Sequence, residues 1–475
     1  MKNCSFLHAA ALLLFLLLGA SGCRPGAVRD RSVIILSTND IHAHIENFPR
    51  LAAAVRACRD TAAVVLVDAG DRWTGNAYVD LAEGRKPVLT LMNRLGYDLG
   101  TLGNHEFDVG QPALQAAVDY CGFPVLCANI TGSEEAALRP CESLCTLTRG
   151  GLTVGFAAVV TNYGPNGHPD GHDRIFTGLA FPDAVQTAAQ LVSQLEACDV
   201  RVALTHIGRD RDFELAEAAP GYDLIIGGHS HDEVNEIRNG VLVTQTGKNL
   251  RNIGVTVLKR NGEILEHPEY TLVPLASYEP DPEYAALVEA YYADPEMQRP
   301  VGSATALANK VGLANLFTQS VRRAGKADIG IYHHGGVRLD TLAAGPVAVA
   351  KIYDLDPFGS VVSTMTMTPA QLRKLIITKF NDTVNPREAH CIDLFCTTPY
   401  TIRTDARFDA VDVRFPELVE GRRYRVAMGD YIYKNYKGLE CTDGDAGEVL
   451  VTDCLLETLA AGPWEPDNRL RQAIE

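Results

Sequence analysis

Short apolar runs alternate with helix-like segments over the first part of the chain, from Val33 to about Leu275. Apolar runs of this length, bounded by turn residues, are typical of strands that are buried on both faces. Two helix-like segments between them end at Gly96 and Gly122, a residue type that suits the position after a helix. The pattern predicts an α/β domain in which helices cover a sheet. The predicted strands are residues 33–36, 64–67, 154–160, 202–204 and 224–226.

The pattern changes at residues 278–282, where two prolines and two acidic residues interrupt it before a helical segment at 283–292. We interpret this stretch as an interdomain connector. Beyond it the sequence predicts a second α/β unit, including a helix capped by Thr368 with Pro369 at its first position. Near the end of the first domain, Asn261-Gly262 predicts a hairpin with a type I′ turn. The predicted division is a leader at 1–23, a first domain at 24–276, a connector at 277–299 and a second domain at 300–475.

The amino-terminal residues predict an export signal. Lys2 precedes an apolar stretch at residues 9–20, which is too short to span a hydrocarbon core of about 30 Å. The following Ala20-Ser21-Gly22-Cys23 resembles the lipobox of bacterial lipoproteins, in which Cys23 would carry the lipid. The alternative is secretion without lipidation, after cleavage near Ala20. Both predict a location outside the cytoplasm, in the periplasm or cell envelope, and only the lipoprotein alternative adds membrane contact, through the lipid anchor.

The charge balance limits the partners. With 43 basic and 59 acidic side chains among 475 residues, the net charge is −16. Binding a nucleic-acid polymer requires basic residues clustered against phosphates, so this class of partner is not expected. A local pocket for a small anionic ligand stays open. Of the 12 cysteines, Cys141/Cys145 and Cys391/Cys396 are close enough for local disulfides, and buried thiols are the alternative.

Acidic, amide and imidazole residues follow the predicted strands of the first domain. The carboxyl ends of strands in an open α/β sheet face one crevice, so loops from distant parts of the chain can converge there. Oxygen and imidazole donors without a thiolate suit Mn, Zn, Fe or Co. The sequence therefore predicts a metal site. The polar residues that follow the strands are Asp40 and His42, Asp68 and Asp71, Asn104 with His105, Glu106 and Asp108, then His206, and finally His229 and His231.

The ordered motifs Asp-x-His, Gly-Asp, Gly-Asn-His-Glu-Phe-Asp, a strand-end His and Gly-His-x-His resemble the calcineurin-like metallophosphoesterases. More narrowly, they resemble the secreted 5′-nucleotidases of bacteria and animals. The resemblance implies a layered α/β/β/α sandwich followed by a smaller α/β substrate-recognition domain. It also implies two divalent cations, for which Zn, Mn or Co is expected. Asp40, His42, Asp71 and His231 would hold one cation, and Asp71, Asn104, His206 and His229 the other.

The chemistry of phosphate esters agrees with such a site. An anionic ester repels hydroxide, and two cations about 3.5–4 Å apart neutralise that charge and lower the pKa of a water molecule. The resemblance makes His105 the transition-state stabiliser and candidate proton donor, with Asp108 as the residue that orients it. We expect Glu106 to be a solvated or structural neighbour without a catalytic role.

Two motifs in the second domain resemble elements of the 5′-nucleotidase carboxy-terminal domain. Gly335-Gly336-Val337-Arg338 implies that Arg338 contacts the nucleotide, and Asp356-Pro357-Phe358-Gly359 implies that Phe358 stacks on its base. A surface ion pair and a core aromatic are the respective alternatives. For the second stacking ring we choose Tyr431, with Tyr433 as the alternate and core packing open for both. His333 stands where the family tends to have Asn, so we also count it among the substrate-binding candidates.

These expectations predict an exported dinuclear-metal hydrolase of nucleoside 5′-monophosphates, which acts by attack of a metal-bound hydroxide on a small-molecule nucleotide. Asp108, at the end of the Gly-Asn-His-Glu-Phe-Asp motif, favours the nucleotidase branch. The alternatives are a 2′,3′-cyclic nucleotide phosphodiesterase or a nucleotide-sugar or nucleoside diphosphate hydrolase on the same scaffold. A non-catalytic surface binding protein is more remote, because the metal-ligand set has no gap. Base preference, metal identity and oligomeric state stay open.

Overall fold

The computed structural model describes residues 31–164, 166–171, 173–382, 389–436, 438–439 and 444–475. The predicted leader, with Cys23, lies outside the described residues. The chain forms two compact units. The first comprises the described residues up to 73 and residues 83–162 and 176–291; the second comprises 74–82, the described part of 163–175, and the described residues from 292 onward. The predicted first domain thus contains two short segments, 74–82 and 163–175, that cluster with the second unit.

The first unit contains a seven-stranded sheet with a parallel centre. The strand Arg31–Thr38 pairs in parallel with Val64–Asp68 on one side and antiparallel with Asn252–Asn261 on the other. The order across the sheet is Ile264–Leu265, Asn252–Asn261, Arg31–Thr38, Val64–Asp68, Leu99–Thr101 and Val125–Leu126, and Glu269–Pro274 also pairs with Asn252–Asn261. The predicted hairpin is present. However, positive φ occurs only at Gly262 and not at its neighbours, so the turn is not of type I′.

A six-stranded sheet forms the other half of this unit. Its central strands are parallel, as expected for strands joined by helices, and both edge strands run antiparallel to their neighbours. The order is Glu233–Arg238, Val241–Thr246, Leu224–Ile226, Val200–His206, Leu152–Val160 and Leu144–Arg149. A separate two-stranded pair joins Thr131–Gly132 to Leu179–Ala180.

The core of the first unit lies between the two sheets. Val33, Ile35 and Val65 of the first sheet share one apolar cluster with Phe156 and Val202 of the second, and all five are at most 1% exposed. Residues with alternate spacing point to one face of a strand, so each sheet presents one apolar face to the other. With the surrounding helices this gives the predicted α/β/β/α sandwich. The helices are Phe48–Arg59, Lys86–Leu95, Gln111–Tyr120, Ala184–Leu191 and Arg209–Ala218, and the 3₁₀ turns are Ile45–Asn47, Glu83–Arg85, His105–Val109, Val192–Leu195 and Leu275–Ser277.

The second unit is a smaller α/β assembly. Its main sheet has the order Val362–Met367, Tyr424–Gly429, Ile329–His333 and Leu394–Cys396, beside a three-stranded sheet of Ala410–Arg414, Tyr400–Thr404 and Gln472–Ile474. Two short pairs join Pro300–Ala304 to Gly345–Ala348 and Ala308–Asn309 to Thr341–Leu342. The helices are Ala77–Asp80, Lys310–Ala324, Val349–Leu355, Pro369–Phe380, Asp430–Asn435 and Val451–Ala460, with 3₁₀ turns at Asp173–Phe176 and His334–Gly336. The predicted connector holds the helices Pro282–Tyr292 and Pro295–Gln298.

Several predicted helix ends are confirmed. Gly96 follows Lys86–Leu95 in the left-handed conformation, with φ 74°. The Thr368 side chain accepts a hydrogen bond from the Gln371 backbone N–H, and the Gln371 side-chain oxygen accepts one from the Thr368 backbone N–H, which makes a complete capping box. Gly122, by contrast, does not end a helix in that way, because Gln111–Tyr120 stops at Cys121 with extended backbone.

Among the described cysteines, Cys141 does not pair with Cys145, and Cys391 does not pair with Cys396. The prediction of local disulfides is therefore wrong for these pairs. The alternative of buried thiols fits Cys58, Cys127, Cys396 and Cys454, whereas Cys391 is exposed. Among the described helices, none has both the length and the apolar character that crossing a bilayer requires.

Candidate metal centre

Five loops of the first unit carry the predicted metal ligands, and each loop lies at the carboxyl end of a strand. Three follow parallel strands of the seven-stranded sheet, and two belong to the six-stranded sheet. This shared edge explains how residues almost 200 positions apart in sequence meet. The loops carry Asp40 with His42, then Asp71, then Asn104 with His105, then His206, and finally His229 with His231.

One group of these side chains consists of Asp40, His42 and His231, which together could hold a metal ion. The Nε2 atoms of His42 and His231 lie 2.9 Å apart. Asp40 Oδ1 lies 3.4 Å from His231 Nε2 and 3.7 Å from His42 Nε2. All three side chains therefore direct a ligand atom to one small volume.

A second group of predicted ligands lies next to the first and consists of Asp71, Asn104, His206 and His229. Asp71 is also close to His42 of the first group. Asp71 Oδ2 is 3.2 Å from His206 Nε2 and 3.9 Å from His42 Nε2. Nearby, His229 Nδ1 and Asn104 Oδ1 lie 2.8 Å apart. The structure thus brings all seven predicted ligands together, and the carboxylate of Asp71 faces histidines from both predicted sets.

The backbone at the ligands is unusual. Five of the seven have positive φ, a conformation that costs a residue with a side chain about 1–3 kcal/mol. These five are Asp40, His42, Asp71, His229 and His231, with φ between 48° and 82°. Hydrogen bonds between the loops hold this geometry: the backbone N–H of Asp40 donates to Gly70, and that of His42 to Asp71. Strain of this kind concentrates where side chains must point to a fixed place.

Opposite charges dominate the electrostatics of the centre. Burial opposes ionisation of Asp71, yet the neighbouring His206, His105 and His42 hold its pKa well below the usual range. Burial likewise works against a charged His206, but Asp71 and Asp40 raise its pKa to about 10. Burial and the charge of His206 lower the pKa of His229 to about 3. Asp71 and His206 thus stabilise each other's charged forms.

The donor set fits divalent cations. His206 Nδ1 lies 2.7 Å from the Ala69 carbonyl oxygen, which can only accept, so the ring donates from Nδ1. The other nitrogen, Nε2, is buried and lacks a hydrogen-bond partner among the described residues. A histidine that binds a metal commonly donates its second N–H to a carbonyl in this way. With Nδ1 held by the Ala69 carbonyl, Nε2 is the His206 atom that could bind a cation beside Asp71.

His105 and Asp108 lie at the rim of this centre. His105 Nδ1 is 2.8 Å from Asp108 Oδ2, and the two side chains retain 13% and 14% exposure. The imidazole centroids of His105 and His42 are 5.3 Å apart. The pair is thus near the ligands and open enough to meet a substrate.

Glu106 lies between His105 and Asp108 in the sequence. It was expected to be either a solvated or a structural neighbour, and the first of these expectations is wrong. Its side chain is fully buried and accepts hydrogen bonds from the backbone of Asp71 and Arg72. Sequence reasoning also missed Arg72, whose guanidinium is buried beside Asp68 and Glu106. In the sequence, only the position of Glu106 inside the Gly-Asn-His-Glu-Phe-Asp motif indicated that this residue matters. Its burial could not be predicted, because burial depends on residues far away in the chain.

In the second unit, the predicted substrate-binding residues form two small groups. The Arg338 guanidinium lies over the Phe358 ring at 5.6 Å. The rings of His333 and Tyr431 stack with centroids 5.0 Å apart and an angle of 23°. Tyr433 instead packs against the apolar core. Tyr436, which was not predicted, meets His333 edge to face and donates to Asp393 at 2.6 Å.

His333 lies in positively charged surroundings. Burial and the charges of Lys379, His334, Lys310 and Arg338 lower its pKa to about 3. A neutral imidazole surrounded by cations suits an anionic ligand in a chain whose net charge is −16.

Comparison with known proteins places both units. Residues 34–233 match the calcineurin-like phosphoesterase family, and residues 293–443 match the 5′-nucleotidase carboxy-terminal domain. The chain belongs to the 5′-nucleotidase family of calcineurin-like phosphoesterases. The family match spans every predicted metal ligand, from Asp40 to His231, and also Arg338, Phe358 and Tyr431.

Individual relatives agree with the family in fold. The chain is 26% identical to protein UshA of Yersinia enterocolitica over 79% of this chain and 82% of that protein. It is 25% identical to endonuclease YhcR of Bacillus subtilis over 82% of this chain but 37% of the relative. A 5′-nucleotidase precursor from Thermus thermophilus superposes with a TM-score of 0.80 at 21% identity, over 93% of this chain and 99% of the other. The chain spans less than half of the length of several curated relatives that it matches.

Proposed function

We propose that this protein is an exported phosphohydrolase that uses two divalent cations to cleave the phosphate ester of nucleoside 5′-monophosphates. The observation that carries the proposal is the position of Asp71. Its carboxylate lies 3.2 Å from His206 and 3.9 Å from His42, which belong to different predicted ligand sets. One carboxylate shared by two ligand sets is the simplest arrangement for a pair of cations.

The ligand assignment is the one that the family resemblance implies, and the position of Asp71 supports it. Asp40, His42, Asp71 and His231 would hold one cation, and Asp71, Asn104, His206 and His229 the other, with Zn, Mn or Co as the expected metals. Bound cations would neutralise the ester and lower the pKa of a water molecule to the neutral range. Their ligands are neutral histidines, an amide and carboxylates, so the site keeps a net positive charge for an anionic substrate.

His105 would supply a proton to the leaving oxygen. Asp108 accepts from Nδ1, which fixes the ring orientation and leaves Nε2 as the atom that faces the substrate. A cationic imidazole held in this way stabilises negative charge that develops as the ester bond breaks. Asp108 therefore acts by holding His105.

The second unit would provide nucleotide recognition. Phe358 and Tyr431 offer aromatic faces, on which any base can stack. Arg338 and the cations around His333 offer charge for an anionic ligand. A nucleoside monophosphate combines both features, whereas a simple phosphate ester has only the charge.

Export is part of the proposal. It rests on the apolar stretch at residues 9–20 and on Ala20-Ser21-Gly22-Cys23, which together favour a lipid anchor at Cys23 in the cell envelope. Mass spectrometry of the protein purified from membranes would reveal the lipid on Cys23; a mature chain that begins near Ser21 without lipid would leave secretion alone.

One substrate panel tests the activity. The purified protein is assayed with 5′-, 3′- and 2′,3′-cyclic nucleotides, nucleotide sugars, nucleoside diphosphates and simple phosphate esters, each with Mn, Zn, Co or Mg added. We expect 5′-monophosphates to have the highest kcat/KM and EDTA to abolish turnover. A preference for cyclic nucleotides or nucleotide sugars would replace the substrate assignment. A protein that binds no metal and has no EDTA-sensitive activity would overturn the proposal.

A further inference from the structure

Glu106 is a carboxylate that lies completely buried beside the metal centre, although it is not one of the predicted ligands. Moving a carboxylate out of water is costly unless hydrogen bonds and an opposite charge compensate for it. Its surroundings therefore indicate what the side chain does.

The carboxylate of Glu106 joins two ligand-bearing loops. Oε2 accepts hydrogen bonds from the backbone N–H of Asp71, at 2.9 Å, and from that of Gly103. Oε1 accepts from the backbone N–H of Arg72 at 2.7 Å. Asp71 is the shared ligand, and Gly103 directly precedes the ligand Asn104. One side chain thus fixes the backbone of both loops at the point where their ligands begin.

The Asp71 and Asn104 loops are packed so closely together that their relative position determines where the Asp71 carboxylate lies. Asp71 has φ 57°, a conformation that the chain does not favour by itself. Its Oδ1 accepts from the backbone N–H of His105 at 2.9 Å. A Cβ on Gly103 would lie 2.2 Å from the same Oδ1, so only glycine fits there. A small shift of either loop would move the Asp71 carboxylate.

A buried cation, the guanidinium of Arg72, balances the charge of Glu106. Arg72 Nη1 lies 3.7 Å from Glu106 Oε1, and Arg72 Nε lies 3.0 Å from Asp68 Oδ1. Arg72 Nη2 donates to the Thr101 carbonyl at 2.6 Å, and Thr38 donates to Asp68 at 2.8 Å. A Cβ on Gly100 would lie 2.3 Å from Nη2, so glycine makes room for the guanidinium.

We propose that Glu106 is a positioning residue that holds the Asp71 and Asn104 loops in register for two cations, and that Arg72, which also pairs with Asp68, is its buried counter-charge. This inference rests on the proposed dinuclear site. Glu106 acts through backbone amides and not as a ligand, because both of its oxygens accept hydrogen bonds from them.

The test is Mn²⁺ binding by the full-length protein after its metal has been removed with EDTA. Glu106→Gln keeps the size of the side chain but replaces one accepting oxygen with an NH₂ group that opposes a backbone N–H. We expect the affinity of at least one of the two Mn²⁺ sites to fall about 10–100-fold, the usual effect of losing a residue that orients metal ligands. The electron paramagnetic resonance signal of a coupled Mn²⁺ pair should give way to that of isolated Mn²⁺. Glu135→Gln, at an exposed position of the same unit, is the matched control and should bind like the wild type.

Two outcomes overturn the inference. If Glu106→Gln has native circular dichroism, binds two Mn²⁺ ions with wild-type affinity and merely unfolds at a lower temperature, Glu106 has only a structural role. If Glu106→Gln does not fold, Glu106→Asp is measured instead: it keeps the charge but is too short to reach all three amides, and wild-type affinity in this variant also overturns the inference. A wild-type protein that binds none of Mn²⁺, Zn²⁺ and Co²⁺ would instead refute the proposed function.

Discussion

The metal centre of the first unit and the aromatic group of the second, His333 with Tyr431 and Tyr436, are held together by different forces. The metal centre gathers buried carboxylates and imidazoles on backbone with positive φ, an arrangement that hydrophobic packing alone would not stabilise. In the aromatic group, rings stack on rings, as they also do in ordinary cores. Buried polar side chains therefore point to function more strongly than buried aromatic ones, and mutations should affect the two regions differently.

The largest effect is expected at the centre of the polar region. Asp71→Asn removes the charge of the shared carboxylate while keeping its size, so we expect turnover to fall to background and the bound metal to be lost. Activity and metal content of the purified variant, by elemental analysis, check this. Near-wild-type turnover would contradict the assignment of Asp71 as the shared ligand. The buried polar side chains of the metal centre would then indicate function no better than the aromatic group does.

His105→Ala separates proton transfer from metal binding in the same region. Because His105 is held by Asp108 and is not a predicted ligand, the variant should retain its metal. Its kcat should fall about 10²–10⁴-fold, the range for a positioned proton donor. Steady-state kinetics with a 5′-monophosphate and metal analysis give both quantities. A change in KM alone would instead make His105 a binding residue.

Phe358→Ala tests whether the second unit distinguishes nucleotides from simple esters. Loss of the ring that lies under Arg338 should weaken nucleotide binding by about 1–3 kcal/mol, the usual contribution of stacking one base. KM for a nucleoside monophosphate should rise accordingly, while kcat/KM for p-nitrophenyl phosphate, which has no base, stays unchanged. Equal losses on both substrates would indicate that Phe358 is a core aromatic.

A smaller effect is expected when two neighbouring tyrosines, Tyr431 and Tyr433, are replaced and the variants are compared. Tyr431 stacks on His333, whereas Tyr433 packs against the apolar core. We expect Tyr431→Ala to raise KM for the nucleotide several-fold with little effect on the thermal unfolding midpoint. Tyr433→Ala should lower that midpoint and leave KM near the wild-type value. The reverse result would exchange the two assignments.

The sequence predicted the first unit well for a physical reason. Parallel strands buried on both faces are continuous apolar runs, so each predicted run falls inside an observed strand, such as 33–36 within Arg31–Thr38. The edge strand Glu233–Arg238 was missed because five of its six residues are exposed, which leaves no apolar pattern. The ligand loops could be placed because they follow the predicted strands directly.

Features that depend on contacts distant in sequence could not be predicted. Glu106 is buried because its carboxylate meets Arg72, 34 positions earlier, and nothing near Glu106 in the sequence indicates that contact. The choice between Tyr431 and Tyr433 likewise depends on which side of a short helix faces His333. The same limit applies to Cys141 and Cys145, whose closeness in sequence suggested a disulfide that the fold does not form.

The smallest effect is expected at Asp356, two positions before Phe358. It is a buried polar group, like the metal ligands, but it lies in the unit that contains the aromatic group. Its carboxyl is buried and accepts from Ser360 Oγ at 2.9 Å, and burial raises its pKa from 3.8 to about 7. In the unfolded chain the group ionises near pH 4, so between pH 4 and pH 7 unfolding releases a proton and the stability due to this group declines as pH rises. Asp356→Asn stays neutral and should lack this decline. Thermal unfolding midpoints from pH 5 to pH 8 should therefore show a growing advantage of the variant towards pH 8; an advantage that grows towards pH 5 would mean that the carboxylate is stabilised in the fold, as the ligands of the metal centre are.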